Sequence, residues 1–341
     1  LRKLFIIPVF EFIGGNMRST ALFLALLLAS SPALLVGAQG KPLVVVFAKG
    51  MMKPDASLNW MMGNITQVEW KVYTETIKFD DIKNAALLIL VQVDTSQNYT
   101  KDEISAIKQW FDQGGKVLWV TGDSDYKGGD YLRIAPANSV LEAVGSVLRN
   151  DHCEATDPKL APAKPYHVAA IISPDPPLSV LADGISNYVL FHGPGAVAAY
   201  YNGKWMNLVN ETIPNVYRIA WTSDGGAIAE FTPPLPQAYP VNYRGKILEM
   251  AAEVMPNNGI VIFSAEAPFD HYKGMWISGY EEFPKLDGPK FVTNVVLWAV
   301  GLKGTKPTYQ GGANITLWAS IIVVIIIVIA LAVLLMRRKK S

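Results

Sequence analysis

The run Leu317–Met336 constrains this chain more than any other stretch. Its twenty residues carry no charge and are mainly Ile, Val, Leu and Ala, and Arg337, Arg338, Lys339 and Lys340 follow at once. A helix rises about 1.5 Å per residue, so such a run reaches about 30 Å, the thickness of a bilayer's hydrocarbon core. A core helix ordinarily keeps a polar face, and this run has none. The sequence therefore predicts one C-terminal transmembrane helix over 317–336. Cations beside a span stay cytoplasmic, which predicts a basic cytoplasmic tail over 337–341 and a large extracytoplasmic portion at the cell membrane.

The other end points the same way. Met17-Arg18-Ser19-Thr20 precedes the apolar run Ala21–Leu28, and a small-residue stretch ends at Val36-Gly37-Ala38. A charged start, a short apolar centre and small residues at the end describe a secretory signal peptide, with cleavage expected after Ala38. Residues 1–16 precede a plausible start at Met17. A true N-terminal extension through Leu4–Phe12, or an uncleaved signal anchor, are the alternatives. Four Asn-X-Thr triplets, at Asn64, Asn98, Asn210 and Asn314, fall on the expected outer side and are glycosylation candidates.

Between these termini lie residues 39–303, enough for one large domain, then a short linker over 304–316. With 30 basic and 29 acidic residues the chain has no charge excess to recommend nucleic acid as a partner. Cys153 is the single cysteine, so no intramolecular disulfide forms.

Leu43–Ala48 and Ala85–Val93 are continuous apolar runs, the pattern of strands buried on both faces, and Lys116–Gly122 and Gly259–Ala265 also read as strands. Val68–Tyr73 alternates more. Thr100-Lys101-Asp102-Glu103 is a capping box opening a helix whose Ile104, Ile107, Trp110 and Phe111 share one face, and Gly114-Gly115 ends it. Further helices are expected over about 139–148, 245–254 and 290–302. Between about 151 and 240 prolines and glycines are frequent and the expected strands are short: 167–172, 188–192, 196–201, 217–221 and 227–231. The pattern predicts an α/β domain, a mostly parallel sheet wrapped by helices, with a β-rich insertion over about 151–240.

The segment 84–122 runs from an apolar strand through Tyr99-Thr100-Lys101-Asp102-Glu103-Ile104 and Trp110-Phe111-Asp112-Gln113-Gly114-Gly115 to Lys116-Val117-Leu118-Trp119-Val120. It resembles the class-I glutamine-amidotransferase-like, flavodoxin-like fold in its non-catalytic, GIFT-type branch. That branch includes gliding-motility and ABC-transporter auxiliary proteins, an intraflagellar-transport subunit and the single-pass, non-catalytic subunit of eukaryotic oligosaccharyltransferase. Three further stretches are similar to the last of these. They are Tyr188–Ala198 with its Gly193-Pro194-Gly195 turn, Tyr239-Pro240 followed by Gly245-Lys246 and an apolar helix, and Asn257–Ser264. The resemblance covers roughly 42–302. The eukaryotic subunit carries another β-rich domain before its span, where this chain has only the linker. The resemblance implies a scaffold that packs against a membrane-embedded catalytic subunit and other small membrane subunits. An auxiliary subunit of an ABC transporter, or an amidotransferase-like enzyme, are the other readings it leaves open.

Catalytic motifs are sparse. Cys153 lies in Asn150-Asp151-His152-Cys153-Glu154, without the strand and flanking glycines of a nucleophile turn, and reads as a packed or loop thiol. No metal-ligand spacing and no cofactor fingerprint stands out. Gly193-Pro194-Gly195 lies between two strands, where a tight turn is expected rather than a phosphate loop. Two acidic segments follow core strands: Gly122-Asp123-Ser124-Asp125 and Glu266-Ala267-Pro268-Phe269-Asp270-His271. The carboxyl ends of parallel strands share one edge, so Asp123, Asp125, Glu266, Asp270 and His271 form a candidate ligand edge for a cation or sugar hydroxyls. The same residue types also make ordinary turns and caps at strand ends.

Overall fold

The computed structural model describes residues 40–49, 55–92, 97–127, 129, 133–269 and 274–311. The first part contains β1 (Leu43–Lys49), α1 (Ala56–Asn64), β2 (Glu69–Tyr73), α2 (Phe79–Ile82), β3 (Leu87–Gln92), α3 (Lys101–Phe111), β4 (Val117–Thr121) and α4 (Ala135–Ala143). Short strands follow: β5 (Leu148–Asp151), β6 (Glu154–Thr156), β7 (His167–Ile172), β8 (Val189–His192), β9 (Ala196–Tyr201), β10 (Lys204–Met206), β11 (Val216–Trp221) and β12 (Ala227–Ala229). The chain then forms β13 (Leu248–Val254), β14 (Ile260–Ser264) and α5 (Gly288–Ala299).

Nine strands form the central sheet in the order β2-β1-β3-β4-β14-β13-β11-β7-β8. Successive side chains on a strand point to opposite faces. On β1, Val44, Val46 and Ala48 therefore enter one core while Val45 and Phe47 enter the other. The first core is closed by Leu58 and Met61 of α1 and by Phe291, Val295 and Trp298 of α5. The second is closed by Ile107, Trp110 and Phe111 of α3 and by Val140 and Leu141 of α4. Helix α3 starts where the capping box places it: Thr100 Oγ1 accepts from the Glu103 amide at 3.3 Å, and Glu103 Oε2 accepts from the Thr100 amide at 2.7 Å. Glu103 also meets Lys49 Nζ at 2.6 Å in a buried ion pair, which ties the helix to β1.

The mostly parallel α/β sheet expected from the sequence is not what forms. The pairings β1–β2, β1–β3, β3–β4 and β4–β14 are parallel. The pairings β13–β14, β11–β13, β7–β11 and β7–β8 are antiparallel. The sheet is mixed and the chain β-rich. The segment expected as a separate insertion supplies β7, β8 and β11 to the main sheet, and only β5, β9, β10 and β6, β12 form small sheets of their own.

The largest local departure is β13. Residues 245–254 were expected as a helix, because Leu, Glu, Met and Ala are strong helix formers. Residues Leu248–Val254 instead form a strand buried along its whole length between β11 and β14. Helix preferences among such residues differ by at most about 0.7 kcal/mol each, whereas burying one large apolar side chain is worth about 1.5–3 kcal/mol. Pairing on both edges and cover on both faces decide the conformation. Likewise α4 ends at Ala143, and Leu148, expected as its last residue, opens β5.

Among the described residues no helix is long and apolar enough to cross a membrane. The transmembrane, single-pass element expected from the sequence is thus not among the helices of the described residues. The run Leu317–Met336 that carried that expectation lies outside the described residues, as do the signal-peptide segment, the basic tail, Asn314, Asp270 and His271.

Candidate functional site

Strands β4 and β14 are parallel neighbours, so their carboxyl ends open at the same edge. A cleft of about 490 Å³ lies there. Asp123 and Ser124, just past β4, and Glu266, just past β14, line it with Glu154, His192 and Gly193. Tyr126, Tyr166, Phe231, Lys127 and Arg133 complete the wall.

Close backbone approach builds this corner. A Cβ on Gly122 would stand 2.5 Å from Asn150 Nδ2 and 2.8 Å from the Phe263 ring. One on Gly195 would stand 2.4 Å from Asn150 Oδ1 and 2.5 Å from the Asp123 carbonyl. At Gly195 the neighbour is backbone, so only glycine fits; at Gly122 the Asn150 and Phe263 side chains would have to shift. Asn150 bridges the two segments by donating from Nδ2 to the Asp123 carbonyl at 2.8 Å. The Gly193-Pro194-Gly195 segment is the tight turn joining β8 to β9, with Gly193 at a φ of 70°.

Of the residues expected at the ligand edge, Asp123 and Glu266 come together in the cleft. Asp123 Oδ2 accepts from Arg133 Nη1 at 2.7 Å and its Oδ1 from the Ser124 amide at 2.6 Å. Glu266 Oε2 accepts from the His192 amide at 2.7 Å. Asp125 is fully buried and works as a bracket: its Oδ2 accepts from the amides of Phe231 at 2.7 Å and Thr232 at 3.1 Å. This bracket holds Phe231 edge-on to Tyr126, with ring centroids 5.1 Å apart, at the cleft mouth.

Glu154, at the start of β6, had no sequence signal, because a three-residue strand between turns has no readable period. Only 6 % exposed, its carboxyl is pushed up to about 8, mainly by burial and then by the charges of Asp125 and Asp123. Near neutral pH it is therefore largely protonated and able to donate a hydrogen bond. A hydrogen-bonding acid, a carboxylate held by arginine and an exposed aromatic pair together suit a polar, hydroxyl-bearing ligand.

Cys153 precedes Glu154 but is fully buried with Ala155, Ala196, Tyr239 and Ile247 in a separate apolar cluster. Behind the cleft wall, the His192 ring lies 5.0 Å from that of His167 and 5.6 Å from that of Tyr166. His167, Glu281 and Glu282 form the one group among the described residues that brings three potential metal-ligating atoms within 4.8 Å of one another. Asn64, Asn98 and Asn210 are all exposed.

No family model matches this chain. No curated protein matches it. A solved structure described as the mmIFT52 N-terminal domain is similar with a TM-score of 0.49 at 12 % identity, covering 76 % of this chain and 97 % of that one. A likeness of that size leaves the family of this chain open.

Proposed function

We propose that this chain is a non-catalytic accessory subunit of an oligosaccharyltransferase complex, with its large domain outside the cytoplasm. Its role is to pack against a membrane-embedded catalytic subunit, as in the GIFT-type subunit that its segments resemble. One observation carries the reading. Three of the similar segments, far apart in the chain, become neighbours: the ends of β4 and β14 and the β8–β9 turn meet beside the cleft through the β4–β14 pairing and the Gly195–Asp123 approach, whereas the apolar helix of the fourth is instead strand β13. Burial of Cys153 supports a binding role over thiol chemistry, since a nucleophile must reach its substrate. The exposure of Asn64, Asn98 and Asn210 suits a chain that meets the glycosylation machinery.

Purification of the intact protein from its native cells in mild detergent, with mass spectrometry of co-purifying chains, tests this. The expected result is a multi-pass oligosaccharyltransferase catalytic subunit. Recovery of transporter permeases without any glycosyltransferase would replace the proposal by an ABC-transporter auxiliary role.

A further inference from the structure

We propose that His167, Glu281 and Glu282 form a zinc site behind the wall of the cleft. The proposal does not depend on the partner complex proposed above.

The distances suit zinc. His167 Nδ1 lies 3.1 Å from Glu282 Oε1 and 3.8 Å from Glu281 Oε2. Zinc binds nitrogen and carboxylate oxygen at about 2.0–2.2 Å, so two ligand atoms of a tetrahedral site stand about 3.3–3.6 Å apart. The observed separations bracket that range, and small side-chain shifts would close it. Calcium fits poorly, because it takes six to eight oxygens and this group offers an imidazole. One histidine with two carboxylates matches the nitrogen and oxygen donors that zinc accepts.

The imidazole is held before any metal arrives. His167 is 1 % exposed, and its ring packs against Tyr166, His192 and Tyr280 with centroids 4.5, 5.0 and 5.1 Å away. The two carboxylates come from one tight turn. Tyr280 and Phe283 exchange backbone hydrogen bonds of 2.7 Å across it, so Glu281 and Glu282 are presented together. Lys164 is bonded to Glu281 Oε2. The same contact makes Lys164 a competitor for the oxygen that zinc would take. Three protein ligands leave one tetrahedral position for water or an outside donor. Zinc here would also stiffen the cleft, since the His167 ring meets Tyr166 edge-on and lies tilted against His192, and both line it.

The test is calorimetric titration of the full-length chain, stripped of metal by a chelator, with zinc chloride, alongside thermal melting. One zinc per chain and a raised melting temperature are expected, with no response to calcium or magnesium at the same concentration. Glu282→Gln should weaken binding by on the order of tenfold or more while leaving the metal-free melting temperature nearly unchanged. Lys164→Met should tighten binding, which a plain Lys–Glu–His surface pairing does not predict. Absence of binding at millimolar zinc would overturn the proposal. So would full affinity in the Glu282→Gln and Glu281→Gln variants, or a Lys164→Met variant that binds no more tightly than wild type.

Discussion

Replacing Glu249 by glutamine removes one ionisable group from near the start of β13. Glu249 is fully buried, and neither carboxylate oxygen has a hydrogen-bond partner among the described residues. Burial, and then the charge of Asp157, raise its carboxyl well above the ordinary 4.5. A charge placed there would face several kcal/mol of desolvation, so the group stays protonated instead. The sign follows from proton counting. In the unfolded chain the carboxyl ionises above about 4.5, while in the folded chain it keeps its proton. The folded state thus binds one more proton, and stability is full below the unfolded value and lost as pH rises toward the raised folded value. One proton corresponds to about 1.36 kcal/mol per pH unit, which from pH 5 to pH 7 amounts to at most about 2.5 kcal/mol. Glutamine does not titrate. Urea unfolding of both proteins at pH 5, 6 and 7 should show the Glu249→Gln variant gaining on wild type as pH rises, by up to that amount. The static cost or benefit of the amide shifts all three points equally and drops out of the trend. A difference between the two proteins that stays flat with pH would refute the reasoning, because Glu249 would then ionise alike in both states.

Glu103 closes the capping box and also neutralises Lys49, so its loss should exceed that of its capping partner. Denaturant unfolding should find Thr100→Ala destabilised by about 1 kcal/mol and Glu103→Ala by about 3–5 kcal/mol, since the second leaves a buried ammonium unpaired. Equal losses would mean that the ion pair contributes nothing beyond the cap. Cys153 should resist an aqueous thiol reagent in the folded protein and react once per chain after unfolding in guanidinium, because its sulfur is enclosed. Rapid labelling of the folded protein would show that the Tyr239 cluster opens or that the thiol is misplaced.

Local chemistry was enough to locate the elements that depend only on neighbours in sequence. β1, β3, β4 and β14 are apolar up to a single polar residue at the carboxyl end, because a strand buried on both faces tolerates no polar alternation. The start of α3 is legible because a capping box satisfies helix amides with side chains three residues away. The convergence of Asp123 and Glu266 on one edge was legible. Asp123 and Glu266 follow strands whose parallel direction sends both ends to one side. Asp125 sits beside Asp123 in sequence, yet its amide contacts with Phe231 and Thr232 make it a structural bracket, a role set by a segment about a hundred residues away. Glu154, Tyr166, His192 and Phe231 reach the cleft from short strands and turns with no period of their own. The antiparallel half of the sheet, and β13 as a strand, were decided by tertiary structure alone. Strand order and direction are properties of pairings between distant segments. Those pairings and their burial are worth more per residue than the helix preference of Leu, Glu, Met and Ala that the sequence displays at β13.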